Sequence, residues 1–510
     1  MYRKKLTFLL YIYILTFQNI ICTVFTQNLN IIAQRKIMKR RIFVKLGILS
    51  SISTSLYAKE KNSVRFYKTF SQALLIPPLA QYNVLKDGTK EFNLNLQEGE
   101  VSFLQGAKTK TYGINGNFLG PTIKVEKNDT LKINVKNSLK EESVIHWHGL
   151  HLEGHNDGGP NRSIKKNTSW STTFKIQQRA ATYWYHPHTH EKTGAQTYKG
   201  LAGLFIIEDE DSKKANLPKE YGIDDIPLII QDRRFDKNAN FVYKYSMHDE
   251  MMGVKGKVFL VNGVNAPYVD VSPKTIRLRI LNGSNARFYS LVFSNIQDFY
   301  QIAGDASFLE KPLKIKKLLL APGERAEILV DLSTLKNTSI YLGDSLSNKA
   351  LIKINIKNEN KQNFILPSRL TTIHEYSNIR KEKALRIRNF SLDMRMMWMG
   401  INGKQMDMSY INEKIILGET EIWRIKNNNE MPHPFHIHGC SFKVLSRNNK
   451  GIFPNETALK DTVVVYGEET LDLLVQFNYK ASKEYPFMYH CHILEHEDAG
   501  MMGQFTVEEA

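Results

Sequence analysis

The chain has 510 residues, a formal net charge of +18 and a hydrophobic fraction of 42%, which is ordinary for a globular protein and enough for about three domains. The first 58 residues hold nine of the basic side chains and no acidic one, which leaves a scattered +9 that does not predict nucleic-acid binding. The three cysteines, at positions 22, 440 and 491, predict no disulfide framework.

The N-terminal region carries export features. The basic stretch Lys39–Lys45 precedes an apolar stretch and a small residue at Ala58, which indicates a twin-arginine signal over residues 38–58. The upstream segment Leu6–Phe25 is an alternative transmembrane or secretory helix, although it contains polar residues. Because two export signals in series would be redundant, we hypothesise that translation starts at Met38 and residues 1–37 are not translated. The leader 1–58 therefore predicts a periplasmic protein without stable membrane insertion after its removal.

An internal repeat follows the leader. An apolar residue followed by Asn-Gly recurs before an alternating strand pattern that ends in Asn, in three copies that place the Asn-Gly pairs at 115–116, 262–263 and 402–403. The spacing of about 140 residues is that of a whole domain. We predict an all-β chain of three consecutive β-sandwich domains, over residues 59–212, 213–365 and 366–510.

Histidine pairs mark the first and third copies only. The four His-x-His motifs are His146/His148, His186/His188, His436/His438 and His490/His492. Side chains two residues apart on a strand share a face, so each pair can reach neighbouring metal ions. The middle domain, which has no such pair, is predicted to be a spacer that sets the distance between the other two.

Cys491 lies between the last two of these histidines and therefore faces the opposite side of the strand. It is followed by His496 and Met501, and this combination is typical of a blue-copper site. The sequence predicts a short covalent connection between two metal centres, with Cys491 serving one and His490 and His492 serving the other.

Methionines are dense at the start of the third copy. The run contains Met394, Met396, Met397 and Met399, with Met406 and Met408 shortly after. Soft thioethers select Cu(I), so the run predicts a metal path, whereas the alternative is that these side chains fill an irregular core. A second group, Met247, His248, Met251 and Met252, is either another copper contact or a loop, and the sequence does not decide which.

These motifs resemble those of three-domain multicopper oxidases along nearly the whole mature chain, and they look most similar to bacterial copper-efflux oxidases that act on Cu(I). The resemblance implies three cupredoxin-like Greek-key domains with four copper ions per chain. It implies type 1 ligands His433, Cys491, His496 and Met501, type 2 ligands His146 and His436, and type 3 ligands His148, His186, His188, His438, His490 and His492.

The resemblance also implies roles beyond the ligands. Asp157 and Glu497 match acidic positions that deliver protons to the oxygen site, although Asp157 has an alternative reading as a turn residue. Met431 matches a substrate-copper position, while Asn429 stands where a carboxylate is expected.

The expected activity is one-electron oxidation of Cu(I), with electrons passing from Cys491 to His490 and His492 and reducing O₂ to water, in the service of copper tolerance. The alternatives are a laccase for phenols or siderophores, a ferroxidase, and a non-enzymatic copper-sequestering protein. The expected partners are Cu(I) or small reductants and O₂, and the expected state is a monomer.

Overall fold

The computed structural model describes residues 69–510 except 105, 244–245, 377–384 and 396–397. The predicted leader, 1–58, and two of the methionines of the run, Met396 and Met397, therefore lie outside the described residues. All described residues belong to one compact unit.

The strands form six sheets that follow one another along the chain in three pairs. The first group comprises β1 (Gln72–Ala73), β2 (Tyr82–Val84), β3 (Lys90–Val101), β4 (Thr109–Ile114), β5 (Ile123–Glu126), β6 (Thr130–Asn137), β7 (Ile145–His148), β8 (Ser169–Lys175), β9 (Ala181–Pro187) and β10 (Gly203–Glu208). Strand β1 pairs with a strand of the second group; the others form sheets β2-β3-β6-β8, with β4 on β3, and β5-β10-β9-β7.

The second and third groups repeat this arrangement. The second comprises β11 (Asp225–Arg233), β12 (Val258–Val261), β13 (Val264–Asn265), β14 (Pro267–Val271), β15 (Thr275–Asn282), β16 (Tyr289–Phe293), β17 (Phe299–Ala303), β18 (Phe308–Ile315), β19 (Leu318–Leu320), β20 (Arg325–Asp331), β21 (Thr338–Asp344) and β22 (Lys349–Ile356). The third comprises β23 (Arg386–Arg395), β24 (Trp398–Ile401), β25 (Glu413–Ile416), β26 (Thr420–Asn427), β27 (His433–Ile437), β28 (Lys443–Arg447), β29 (Thr462–Val465), β30 (Thr470–Gln476), β31 (Phe487–Cys491) and β32 (Met502–Glu508).

Helices are few and short in the described part of the chain. They are α1 (Gly154–Asp157), α2 (Thr193–Lys199), α3 (Glu210–Lys214), α4 (Met247–Met252) and α5 (Leu494–Asp498), with 3₁₀ turns at Pro160–Arg162 and Pro454–Thr457. Within the ranges that the structure covers, no helix combines the length and the apolar character that a membrane crossing requires.

One strand order recurs in each group. A parallel pair is followed by an antiparallel neighbour in β3-β6-β8, in β11-β15-β20 and in β23-β26-β30. Parallel neighbours need a long crossover, so each group has the non-sequential strand order of a cupredoxin-like sandwich. The all-β, cupredoxin-like prediction is confirmed; the domain boundaries at 212/213 and 365/366 stay predictions.

The repeated Asn residues explain why the three copies fold alike. Asn115, Asn262 and Asn402 have positive φ values of 55°, 51° and 53°, which Asn tolerates in tight turns.

The Asn that ends each alternating strand has a matching role. The side chains of Asn137, Asn282 and Asn427 each donate to two or more backbone carbonyls and accept from an amide two residues on. Each holds the loop that follows its strand, and in the first and third copies that loop leads to the histidines.

Each group of strands encloses its own apolar core. The three cores contain, among others, Phe92, Ile133 and Phe205; Ile226, Leu278 and Leu342; and Phe390, Trp423 and Phe505. The third core also includes Cys491 and Met501, so the predicted blue-copper donors lie inside a hydrophobic environment.

Candidate metal centre

A buried cluster of soft and nitrogen donors forms where β27, β31 and α5 meet. The Nδ1 atom of His433 lies 3.4 Å from the Cys491 Sγ atom, which lies 3.6 Å from the Nδ1 atom of His496. The two Nδ1 atoms are 3.3 Å apart. Met501 is fully buried, and its amide and carbonyl bond the backbone of His496 and Cys491, respectively. Three of the four predicted type 1 donors therefore converge, and the fourth is tied to them by the backbone.

The eight histidines of the four His-x-His motifs form a second buried region between the first and third sheet pairs. Their ligand atoms gather in overlapping trios, namely His148, His186 and His492; His188, His438 and His490; and His146, His148 and His436. Each trio combines histidines from the first and the third group of strands. The predicted type 2 and type 3 histidines are thus brought together, and the six type 3 candidates separate into two sets of three.

Strand register produces this convergence. In β7 and β9, His146 stands opposite His186, and in β27 and β31, His436 stands opposite His490. Cys491 stands opposite Phe435 and therefore faces the third core, away from His490. The predicted alternation of His490, Cys491 and His492 between two centres is the geometry observed.

The hydrogen bonds of His438 and His490 favour a cation between their two rings. The Nδ1 atom of His438 donates to Asp157 and that of His490 to the Cys491 carbonyl, which leaves a lone pair on each Nε2 atom. Those two Nε2 atoms face each other at 3.2 Å. Lone pairs at this distance repel unless a metal ion or a proton lies between them. The residues therefore fit a metal-binding centre.

Buried ring nitrogens without a hydrogen-bond partner also indicate a metal-binding centre. The Nδ1 atoms of His146 and His436 donate to the backbone carbonyls of Asp157 and Asp461 at 3.0 and 2.7 Å. Their Nε2 atoms, and both ring nitrogens of His492, find no hydrogen-bond partner among the described residues although the side chains are buried. An unsatisfied buried polar atom costs about 1–3 kcal/mol, which metal coordination would remove.

Burial also sets the protonation states. Burial lowers the pKa of His188 and His492 to about 3, with a further contribution from the neighbouring His490, and it lowers the pKa of His496 to about 4. Neutral imidazole is the form that binds metals. Burial raises the pKa of the Cys491 thiol, so a thiolate at this place requires a compensating positive charge such as a metal ion.

The two predicted proton-relay residues contact the histidines. Asp157 is buried at the end of α1, and its Oδ2 atom accepts from the Nδ1 atom of His438 at 2.8 Å. The Glu497 carboxylate lies 3.2 Å from the Nδ1 atom of His490 and 3.5 Å from that of His188. Asp157 is thus more than a turn residue, since it orients a histidine of the centre.

Asp461, an acidic residue that no sequence motif marks, also contacts the centre. Its Oδ1 atom accepts from the Nε2 atom of His148 at 3.1 Å, and it is fully buried. The only sequence indication was an acidic residue directly before the apolar strand β29, which pairs with the histidine-bearing β27.

Arg325, which no sequence motif marks either, balances this carboxylate from the second sheet pair. Its guanidinium forms a bidentate pair with Asp461, with an Nη1–Oδ1 distance of 2.7 Å, and donates to the carbonyls of Thr182, Gly323 and Asp305. One side chain therefore connects all three groups of strands beside the metal centre. The middle group, predicted to be a spacer, supplies a buried positive charge next to the histidines.

Two described methionines of the run, Met394 and Met399, pack against or within the third core, which also contains Cys491. Met394 and Met399 are opposite each other in the β23–β24 hairpin. Met394 and Met431 are half-buried and pack against the third core, whereas Met399 is fully buried in it. Packing thus accounts for Met399 without a metal, and Met394 and Met431 remain the candidates with access to solvent.

Asn429, at the position where a carboxylate was expected, has a structural role. Its side chain accepts from the Met394 amide at 2.9 Å and donates to the Leu392 carbonyl at 2.9 Å. A carboxylate could not make the second bond, because it has no hydrogen to donate.

Residues 95–212 and 376–510 match the sequence patterns of the multicopper oxidase family. The chain is 37% identical to the multicopper oxidase mco of Staphylococcus haemolyticus over 85% of its own length and 92% of the relative's. It is also 37% identical to the cell division protein FtsP of Photorhabdus laumondii, over 87% and 94% of the two chains.

Among solved structures, a laccase from Pediococcus acidilactici superimposes with a TM-score of 0.82 at 34% identity, covering 88% of this chain and 96% of the laccase. The likeness spans both histidine-bearing groups of strands and the group between them. The chain therefore belongs to the multicopper oxidases, a family of copper-binding oxidoreductases.

Proposed function

We propose that the protein is an exported cuprous oxidase, which couples one-electron oxidation of Cu(I) to four-electron reduction of O₂ to water and so supports copper tolerance. The proposal extends the family assignment in two ways. It assigns each donor cluster to a copper ion, and it selects Cu(I) among the possible electron donors.

The proposed copper sites follow the clusters. The type 1 copper takes His433, Cys491, His496 and Met501, and the type 2 copper takes His146 and His436. One type 3 copper takes His148, His186 and His492, and the other takes His188, His438 and His490. Copper held there supplies one-electron transfer and oxygen binding. The facing lone pairs and the unpartnered Nε2 atoms support this distribution of four ions.

The single observation that carries the oxidase proposal is the strand end at 490–492. Cys491 belongs to the cluster with His433 and His496. His490 belongs to one of the three-histidine sets and His492 to another. An electron that enters at Cys491 needs to cross only one peptide bond to reach either histidine. A protein that merely sequesters copper has no need of a covalent connection between its metal sites.

Carboxylates support the same reaction. Reduction of O₂ to water consumes protons, and a carboxylate beside the site can relay them. Glu497 and Asp157 are buried within hydrogen-bonding reach of ring nitrogens that do not face the trios. We propose that both residues hold or move protons in the reaction.

The electron donor is proposed from the methionines. Thioethers are soft ligands that favour Cu(I), and Met394 and Met431 are half-buried against the core that contains Cys491 and Met501. Met396 and Met397, which lie outside the described residues, are proposed to bind Cu(I) as well. The position of Asn429 weakens the case for a ferroxidase, because its amide offers no negative charge to Fe(II).

Two other functions compete with this proposal. The structural likeness to a laccase favours organic donors such as phenols, and the similarity to FtsP proteins raises a role in cell division. The buried donor clusters favour an oxidase over a purely structural role. For the remaining attributes we propose a periplasmic monomer exported by the twin-arginine route.

The test is oxygen consumption by copper-loaded protein with Cu(I), Fe(II) and a phenol as separate donors. Wild type is compared with Met394→Leu/Met431→Leu, in which similar side-chain volume is kept but the thioethers are lost. The matched control is Met408→Leu, because Met408 belongs to the same run but does not pack against the third core.

A cuprous oxidase consumes oxygen fastest with Cu(I). We expect the double variant to oxidise Cu(I) about ten times more slowly than wild type, while its rate of phenol oxidation falls less. Equal losses for all donors, or faster turnover of phenol by wild type, would refute the proposed donor.

A further inference from the structure

A short helix from the second group of strands contacts His496, one of the proposed type 1 donors. Helix α4 (Met247–Met252) ends against α5, where a Cβ added at Gly253 would lie 2.1 Å from the Ala286 Cβ atom and 3.0 Å from a side-chain carbon of Ile493. The amide of Val254 donates to the Glu495 carboxylate at 3.0 Å. The helix is therefore fixed on the element that carries His496.

A hydrogen bond joins this helix to the type 1 donors directly. The Nε2 atom of His496 donates to the backbone carbonyl of Met251 at 3.1 Å. His496 and His433 are both fully buried, so neither imidazole edge offers a surface on which a bulky organic donor could stack. The hydrogen bond to Met251 therefore joins His496 to a helix whose first residue, Met247, is exposed to solvent.

The side chains of the helix suit a soft cation. Met247 and Met251 are four residues apart and lie on the same face, about 5–6 Å from each other at Cβ. Met247 is 56% exposed and Met251 is half-buried against the core that contains Cys491. Among the described residues, the exposed methionines are Met247 and Met252, both on this helix.

Packing does not explain these exposed thioethers, because the helix is anchored by other groups. Ser246 caps it by accepting from the Asp249 amide, and the buried Asp249 carboxylate pairs with Arg234 at 2.7 Å. The helix would hold its place with any apolar residue at position 247. Methionine at that position adds a ligand for Cu(I) without adding stability.

We propose that Met247 and Met251 form a Cu(I) docking site over His496, distinct from Met394 and Met431. This inference rests on the proposed function. A Cu(I) ion bound by the two thioethers would give up one electron, and the Met251 carbonyl–His496 hydrogen bond would connect it to the copper ion that His433, Cys491, His496 and Met501 would hold. The resulting Cu(II) prefers harder ligands than thioethers and leaves. Four such electrons, with four protons, convert one O₂ into two waters.

The test uses copper-loaded protein and Ag(I), a soft monovalent ion that does not donate an electron. After excess silver has been removed, elemental analysis gives the Ag(I) bound per chain for wild type and for Met247→Leu/Met251→Leu. The matched control is Met252→Leu, because Met252 is exposed on the same helix but does not share the face of Met247 and Met251.

We expect the 247/251 variant to retain one Ag(I) fewer than wild type and to have a KM for Cu(I) raised by at least about tenfold. Its blue absorption persists, which shows that the type 1 site is intact, and Met252→Leu matches wild type in both measurements. Combining the variant with Met394→Leu/Met431→Leu removes a further equivalent of Ag(I).

Equal silver content and equal KM in wild type and the 247/251 variant would overturn the docking site. A loss of silver in Met252→Leu equal to that in the double variant would also overturn it, since the binding would then not depend on the 247/251 face. If wild type fails to oxidise Cu(I), the proposed function falls, while the silver comparison still decides whether the thioethers bind a soft cation.

Discussion

Replacement of Arg325 by Met tests whether the second group of strands stabilises the metal centre. The guanidinium is fully buried, pairs with Asp461 through two nitrogens and donates to three backbone carbonyls. Removing one member of a buried ion pair costs about 3–5 kcal/mol, because the other charge is left without a partner. The three carbonyls also lose a donor, so we expect a loss at the upper end of this range, about 5 kcal/mol.

The assay is urea unfolding of the copper-loaded protein, followed by tryptophan fluorescence. Arg424→Met is the matched control. Arg424 pairs with Asp472 at 2.8 Å, but the Arg424 side chain is 37% exposed. An exposed pair contributes about 0–1 kcal/mol. The double variant Arg325→Met/Asp461→Asn should lose less than the sum of the single changes, since it leaves no unpaired charge in the interior.

If Arg325→Met loses no more stability than Arg424→Met, the buried ion pair does not stabilise the centre. Additive effects of the changes at 325 and 461 would contradict the prediction as well, because the pair would then carry no coupling energy.

Three further predictions concern protons and metal. Glu497→Gln should lower the rate of O₂ reduction about a hundredfold, measured with an oxygen electrode, and retain blue absorption; an unchanged rate excludes a relay through Glu497. Burial lowers the pKa of His151 from 6.5 to about 4. The unfolded chain therefore takes up a proton first as pH falls, and stability decreases between pH 6.5 and 4 by up to about 3 kcal/mol. The free energy of unfolding, measured with a chemical denaturant, should not show this decrease in His151→Gln, which can still bond Ser441. Parallel pH profiles of this free energy for wild type and variant would contradict the prediction. Copper removal should cost at least about 4 kcal/mol, seen by calorimetry as a lower Tm; equal values for both forms would show that the clusters tolerate empty sites.

The fold was predictable because the three copies share the same short-range sequence features. The Asn-Gly turns, the alternating strands and the terminal Asn residues are all short-range features, and each has the conformation or the hydrogen bonds that its residue type favours. The histidine pairs were equally visible, because side-chain period and strand register place them on one face.

Long-range electrostatics was not predictable in this way. Arg325 and Asp461 are 136 residues apart in the chain, and neither lies in a motif. The roles of Asn429 and Met399 were likewise hidden, since one depends on backbone groups of a neighbouring strand and the other on burial beneath a hairpin. The sequence also left α4 without a role, because its contact with His496 joins residues 245 positions apart.

The wide separation of the donors along the chain has a consequence for biosynthesis. His188 and His490, whose Nε2 atoms are 3.4 Å apart, are separated by 302 residues, and Cys491 follows directly. A nascent chain that stops before residue 490 lacks a donor for both three-histidine sets and for the thiolate cluster. Such a product cannot assemble these three donor sets. Copper bound at them therefore reports that translation has passed His490, Cys491 and His492.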